Sequence, residues 1–275
     1  MDMTFSTVMV HLDIDRPDDA CLRIAGDLAE QFDAKLIGVA AADLESSYYE
    51  QGVFAQELFE QLRSDITKRL AEAEERFRSI ASQHARQIEW RSAMARPADY
   101  VSREARAADL VITGTNRDGL LSDRPGRLNP GDLVMQAGRP ILVVPPEAKY
   151  LKLNCAMVAW KEAREARRAV RDALPLLRKA KEVVVAEVIE DEADRTAARG
   201  RLDDVASWLD RHGVAASRRV FHFSGGEDPL EKLWEYGADL LVAGAYGHAR
   251  LREWIFGGFT HDLLRRSPRC ALLAH

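Results

Sequence analysis

The sequence predicts an α/β protein of two tandem doubly wound domains, each a mainly parallel five-stranded sheet flanked by helices. Three observations predict it. Short apolar runs alternate with longer stretches of helical periodicity along all 275 residues, and βα alternation calls for parallel strands with right-handed crossovers. The pattern restarts after Pro145-Pro146. The second pass also repeats the first. Ala108-Asp109-Leu110 returns as Ala238-Asp239-Leu240, an offset of 130 (239 − 109), and Gly114 and Asp132-Leu133 fall on Gly244 and Asp262-Leu263 without a gap. A long-period repeat of this kind means a repeated structural unit. The first strands align at an offset of 148 (161 − 13), pairing Asp13 with Lys161. The difference, 148 − 130 = 18 residues, is extra length between the second and third strands of the first half.

The elements follow in order. Thr7 to Leu12 is a first strand. A helix starts at Asp18 or Asp19, with Leu22, Ala25, Leu28, Ala29 and Phe32 at helical spacing. Lys35 to Ala40 is the second strand. From Gly52 to Ala85 apolar residues step by three or four (Phe54, Leu58, Leu62, Ile66, Leu70, Ala73, Phe77, Ile80) with charges on the other face, a long amphipathic helix. The Leu44–Gly52 segment before it, with Tyr48 and Tyr49, is expected to be an exposed interaction loop. Ile88 to Ala93, Leu110 to Thr113 and Pro140 to Val144 complete the first sheet. Helices over Ala98–Ala107 and Asp132–Ala137 join them. The second half reads as strands over Cys155–Trp160, Glu182–Ile189, Ala216–His222, Leu240–Ala243 and Cys270–Ala274. Its helices run over Glu162–Leu177, Arg199–His212, Asp228–Tyr236 and from His261 or Asp262. The domains are placed at 1–148 and 151–275.

Composition sets broad limits. Hydrophobic residues are 47% and charged residues 30%, ordinary for a soluble globular chain. A net charge of −5 and a pI near 5.9 give no support for general nucleic-acid binding. Cys21, Cys155 and Cys270 are far apart and form no Cys-x-x-Cys pair, which fits reduced thiols in the cytoplasm. The N-terminal residues lack the basic start and apolar core of a signal peptide. No apolar run approaches the ~18 residues of a membrane helix. The seven histidines show neither His-x-x-x-His nor zinc-ligand spacing with cysteine, so no metal site is expected.

The most informative stretch is Leu240–Asp262, LLVAGAYGHARLREWIFGGFTHD. A buried strand ends at Gly244, Gly247 follows, nine residues intervene, and Gly257-Gly258-Phe259-Thr260 leads into a helix. Glycines let backbone N–H groups approach a ligand closely. A helix N-terminus adds unpaired donors and partial positive charge, which suits a phosphate. This pattern, G-x2-G-x9-G-x-x-[ST] here, resembles the nucleotide loop G-x2-G-x9-G-[ST]-x-[ST] of ATP-binding universal stress proteins. Nearly the whole chain resembles a tandem member of that family, whose domains are Rossmann-like.

The resemblance implies one adenine nucleotide, ATP or AMP, in the C-terminal domain only. It implies that Gly244, Ala245, Gly247, Gly257, Gly258 and Thr260 form the loop, that Ala159 and Lys161 lie at the end of the first strand, and that Val188 meets the base. Two positions depart from the pattern. Gly258 stands where ATP binders carry a hydroxyl, and Lys161 where they carry an Asp that meets adenine or ribose. The first half keeps that carboxylate, Asp13, but replaces the loop. Gly247, Gly257, Gly258 and Thr260 correspond to Arg117, Arg127, Leu128 and Pro130. Side chains then occupy the space of close approach, and Pro130 removes an N–H. The resemblance further implies an intramolecular pseudo-dimer through the last strands, with a further homodimer and an unidentified protein partner left open.

Other clusters are weaker. Arg250 and Arg252 within the loop are placed to pair with phosphate oxygens or simply to face solvent. Arg164, Arg167, Arg168 and Arg171 share one helix face, read with Glu162, Glu165 and Asp172 as a solvated ion-paired surface. No Walker loop, nucleophile elbow or paired catalytic carboxylates occur, so no catalytic residue is assigned. Three readings stay open: a regulatory nucleotide-binding protein, an interaction module without nucleotide, and a slow ATP hydrolase.

Overall fold

The computed structural model describes residues 4–16, 19–44, 56–115, 127–223, 229–246 and 259–275. It divides into two compact units, Phe5–Tyr150 and Leu151–His275. The first contains β1 (Thr7–His11), α1 (Asp19–Phe32), β2 (Lys35–Ala42), α2 (Gln56–His84), β3 (Ile88–Met94), α3 (Pro97–Glu104), β4 (Leu110–Gly114), α4 (Pro130–Gln136) and β5 (Ile141–Val144). Its strands run β3-β2-β1-β4-β5, each pair parallel. The central strands are apolar on both faces, as a sheet covered by helices requires. Val8, Met9 and Val10 of β1 and Leu110, Val111 and Ile112 of β4 are fully buried.

Two packing relations hold this unit's helices. α1 buries eight residues and packs on β1 and α2. The long α2 closes over β2 through Phe77, which is fully buried with its ring 5.5 Å from that of Trp90 on β3. Burying such a side chain contributes about 1.5–3 kcal/mol. Gly38 makes room for it: a Cβ there would lie 2.6 Å from Phe77 and 2.7 Å from Trp90. Asn129 begins α4 by accepting a hydrogen bond from the N–H of Gly131 (2.9 Å), and Pro130 occupies the first turn, where no N–H is needed.

The second unit contains β6 (Cys155–Ala159), α5 (Arg164–Asp172), α6 (Leu174–Leu177), β7 (Glu182–Ile189), α7 (Arg195–Arg211), β8 (Ser217–His222), α8 (Pro229–Glu235), β9 (Leu240–Gly244), α9 (Phe259–Arg266) and β10 (Cys270–Ala274). Its strand order, β8-β7-β6-β9-β10, is again all parallel. Adding five to each strand number turns the first order into the second. In each unit the order reverses beside the first strand, between β1 and β4 or β6 and β9. In open α/β sheets ligands bind at this point, in the crevice beyond the carboxyl ends of the strands.

Several helix boundaries differ from expectation: α3 gives way to a 3-10 turn at Ala105–Ala107, α4 starts at Pro130 rather than Asp132, and three more differ in the second unit. The single helix expected over Glu162–Leu177 is two, because Pro175 has no N–H to continue the ladder. α7 starts at Arg195 rather than Arg199, after a short 3-10 turn capped by Asp191, which accepts from the N–H of Ala193 (2.9 Å). α9 starts at Phe259, so Thr260 lies inside the helix. Residues 45–55, with Tyr48, Tyr49 and the start of the expected long helix, lie outside the described residues. The three cysteines are free and buried, and burial pushes the Cys270 thiol up to about 12. No helix among the described residues is long and apolar enough to cross a membrane.

At the end of β1, His11 is buried with Nδ1 3.2 Å from the hydroxyl of Thr113 on β4. Burial pulls its imidazole from the ordinary 6.5 down to about 4, against the opposing effect of Asp13. Above pH 6.5 His11 is neutral in both folded and unfolded chains. Between 6.5 and 4 only the unfolded chain takes up the proton, so stability falls with pH across that window by up to about 3 kcal/mol. The change His11→Asn should flatten the dependence of unfolding free energy on pH between 6.5 and 4, read by urea titration at half-unit pH steps. An unchanged slope would show that His11 is not held neutral.

Candidate functional site

The crevice of the second unit is built from the ends of β6 and β9. Ala159 and Ala243 are register partners across it, and Gly244 follows on β9. Ala243 and Ala245 are buried, and Ala159 is half-buried. The chain is fixed as it leaves β9. The N–H of Ala245 donates to the carbonyl of Ala274 (2.8 Å), and its own carbonyl accepts from Nδ1 of His275 (3.0 Å). Tyr246 then turns away with φ 57°, a left-handed conformation uncommon outside glycine and a local strain of order 1 kcal/mol.

Gly244 has a further constraint. A Cβ on it would lie 2.4 Å from the backbone nitrogen of Ala166, 2.6 Å from the carbonyl carbon of Glu165 and 2.9 Å from Cβ of Glu165. The first turn of α5 therefore sits directly on β9. At the corresponding Gly114, the nearest described atoms to an added Cβ are Sγ of Cys21 at 3.8 Å and the carbonyl oxygen of Val144 at 4.0 Å. Glycine is thus needed at 244 for packing, whatever the loop binds.

Glu165 is a residue that reading the sequence misplaced. The helical spacing places it on a solvated face, yet it is buried (2% exposed) beneath Gly244. Burial pushes its carboxyl upward, but a 2.5 Å bond from Nε of Arg164, its own backbone N–H and the nearby His275 outweigh this and hold it below the usual carboxylate range. The inward pattern Ala166, Ala169, Val170 was the signal that position 165 borders the buried face. The rest of that surface is solvated as expected: Arg167 pairs with Glu162, and Arg168 donates to the carbonyl of His275 (2.8 Å).

The other expected residues fall as follows. Lys161 is exposed in the turn after β6, where its carbonyl accepts from the N–H of Ala163 (2.7 Å). Val188 is half-buried near the end of β7. It lies two residues past Ala186, the register partner of Ala159, which puts it level with Lys161. Between them Trp160 is buried, with an indole N–H that has no partner among the described residues. Thr260 is half-buried at the second position of α9. The structure thus brings Ala159, Gly244 and Ala245 together, with Lys161 and Val188 at the adjoining strand ends. Gly247, Gly257, Gly258, Arg250 and Arg252 lie outside the described residues. No cluster of metal-ligating side chains occurs among the described residues.

The corresponding crevice of the first unit is closed. His11 and Thr113, at the positions of Ala159 and Ala243, meet across it. Asp13 is engaged in its own turn, accepting from the N–H groups of Asp15 (2.8 Å) and Arg16 (3.2 Å).

No model of a known protein family matches the sequence, and no curated protein matches it. Solved structures do. A universal stress protein from Archaeoglobus fulgidus superposes with a TM-score of 0.76 at 14% identity, over 98% of this chain and 95% of that one. A putative universal stress protein from Pseudomonas aeruginosa gives 0.52 at 14% identity, over 98% and 93%. A functionally unknown protein from the same species gives 0.55 at 13% identity, over 98% and 92%. The chain has the α/β fold of universal stress proteins.

Substituting Gly244→Ala should cost about 1–3 kcal/mol, the usual range for overpacking, because the atoms it meets are backbone. Gly114→Ala should cost clearly less. Denaturant unfolding of the two variants checks this, and equal losses would show that α5 is not seated on Gly244 as described.

Proposed function

We propose that this chain is a tandem universal stress protein whose C-terminal half binds one adenine nucleotide, ATP or AMP, as a regulatory ligand. The observation that carries the reading is the contrast between the two crevices. Ala159 and Ala243 leave only methyl groups at the end of the second, whereas a hydrogen-bonded His11–Thr113 pair fills the same place in the first. The Gly244–Thr260 spacing, present only in the second half, supports the same side.

In this reading the base lies beyond Ala159 against Val188. Backbone N–H groups of the Gly257–Thr260 segment and the start of α9 hold the phosphates, and the Thr260 hydroxyl adds one bond. The buried N–H of Trp160, which has no partner among the described residues, is a polar group in want of an acceptor at the same strand end. Lys161 cannot supply the carboxylate that other members place there. Its exposed ammonium, with Gly258, favours the second reading, an interaction module that binds no nucleotide.

Calorimetric titration of ATP and AMP into the full chain tests the choice, with mass spectrometry of any nucleotide released on denaturation. One site per chain is expected. Gly257→Val should abolish it, Thr260→Ala should weaken it by about 1 kcal/mol, and Lys161→Asp should strengthen it. Grafting the closed crevice as Ala159→His with Ala243→Thr should also abolish binding, while Arg127→Gly in the first half should change nothing. Two sites per chain, or binding that survives the graft, would place the ligand elsewhere. No binding to the wild type would leave the interaction-module reading.

A further inference from the structure

The strands β3 and β8 flank their sheets on the side away from the crevices, and they are guarded differently. On β3 the charges cancel: Glu89 lies between Lys35 (2.5 Å) and Arg91 (2.7 Å), and Arg91 also reaches the buried Glu104 (2.7 Å). Bonds from Arg91 and Lys35 hold the Glu89 carboxyl down at about 2. β8, with the sequence Ser-Arg-Arg-Val-Phe-His, is not neutralised in this way. A groove of about 340 Å³ runs between it and α7, bordered by Arg195, Arg199 and Asp203 of the helix and Arg218, Arg219 and Val220 of the strand.

Three guanidinium groups, of Arg195, Arg199 and Arg218, face one bordering carboxylate. Asp203 pairs with Arg218 (2.6 Å), and Glu192 from outside the groove clamps Arg195. Arg199 is exposed and makes no ion pair among the described residues. A positive groove on a chain of net charge −5 is a local feature, not a consequence of composition. Nothing among the described residues pairs with the outer edge of β8, and such an edge offers free N–H and C=O groups to an incoming strand.

The two faces of that edge differ in chemistry. Arg218 points to α7, while Arg219 and Phe221 point to the opposite side. There the Arg219 guanidinium lies 5.6 Å from the centre of the Tyr236 ring, and Phe221 meets the same ring edge-on at 6.0 Å. A strand added beyond β8 would present alternate side chains to each face. Arg195 and Arg199 are one helical turn apart, about 6 Å along the axis. Alternate residues of an extended strand are separated by nearly the same distance, about 6.7 Å.

We propose that β8 and the groove beside α7 bind an extended acidic peptide segment as an added strand, its carboxylates facing Arg195, Arg199 and Arg218 and its intervening apolar side chains facing Phe221 and Tyr236. This site is separate from the crevice at β6 and β9 and needs no nucleotide. Main-chain bonds to the edge supply affinity, and the alternation of carboxylate and apolar side chain supplies selectivity.

Fluorescence anisotropy of the full chain with labelled peptides tests this, using an octapeptide of alternating Glu and Val and one with four Glu followed by four Val. The alternating peptide should bind at least tenfold more tightly, and amide exchange in β8 should slow on binding. Arg199→Ala with Arg218→Ala should weaken it at least tenfold with the fold retained by circular dichroism, and Asp203→Ala should tighten it. Equal affinity for both peptides, or displacement by tripolyphosphate with β8 exchange unchanged, would reduce the groove to a simple anion site and overturn the proposal. Preference for a single-stranded oligonucleotide over the alternating peptide, or no binding of that peptide to the wild type, would also overturn it.

Discussion

The missing Cβ of Gly244 is the constraint on which the second unit's crevice depends. With a methyl group there, the first turn of α5 would have to withdraw from β9, since the atoms 2.4 and 2.6 Å away belong to its backbone. That withdrawal would carry Glu165 and its Arg164 partner with it, opening buried charge to a gap. The burial of Glu165 is tolerable only because the carboxylate is bonded where it lies. Packing, charge and the direction in which the chain leaves β9 are thus coupled at one residue. A glycine that reads as a ligand-loop glycine is also a structural one, so its presence alone is weak support for a ligand.

More weight falls on the pair just before it. Both units close the same hydrogen-bonded register at the point where strand order reverses, and they differ in what the last residues carry. A histidine and a threonine fill that space in the first unit, while two alanines leave it to the backbone in the second. The filled version costs the histidine its proton affinity, because the imidazole is buried and must stay neutral. The frame is shared; the chemistry of each half is set by a few side chains at its strand ends.

The frame was legible in the sequence because its signals are long and redundant. Apolar strands, amphipathic helices and a repeat at fixed offset all point the same way, and every described strand falls within two residues of its expected place. The misplaced boundaries have local causes. At Arg195 the helix begins on Arg-Thr-Ala-Ala, which has too few apolar residues to show periodicity, and the cap that starts it, Asp191, acts through a separate 3-10 turn. At Pro175 the helical pattern runs through a residue that cannot donate. Site residues were less legible, because burial of a charged side chain depends on contacts distant in sequence. Glu165 looks like its exposed neighbours until β9, some 80 residues later, is laid against it. The Arg199–Arg218 groove is hidden for the same reason, being shared by a helix and a strand that composition alone does not bring together.

Asp13 and Lys161 make the last comparison, since they occupy the same position after the first strand of each half. It is tempting to treat Asp13 as a ligand-binding carboxylate stranded in the wrong half. Its geometry argues for something simpler. An oxygen of that carboxylate already accepts two backbone N–H groups, from Asp15 and Arg16, and so shapes the turn that follows β1. In the second half the turn is held by the backbone instead, through the carbonyl of Lys161 and the N–H of Ala163. The side chain at 161 is exposed, level with Val188. Its ammonium is exposed at the strand end that adjoins Ala159. A carboxylate tied to its own backbone in the first half thus has an exposed cation as its counterpart in the second.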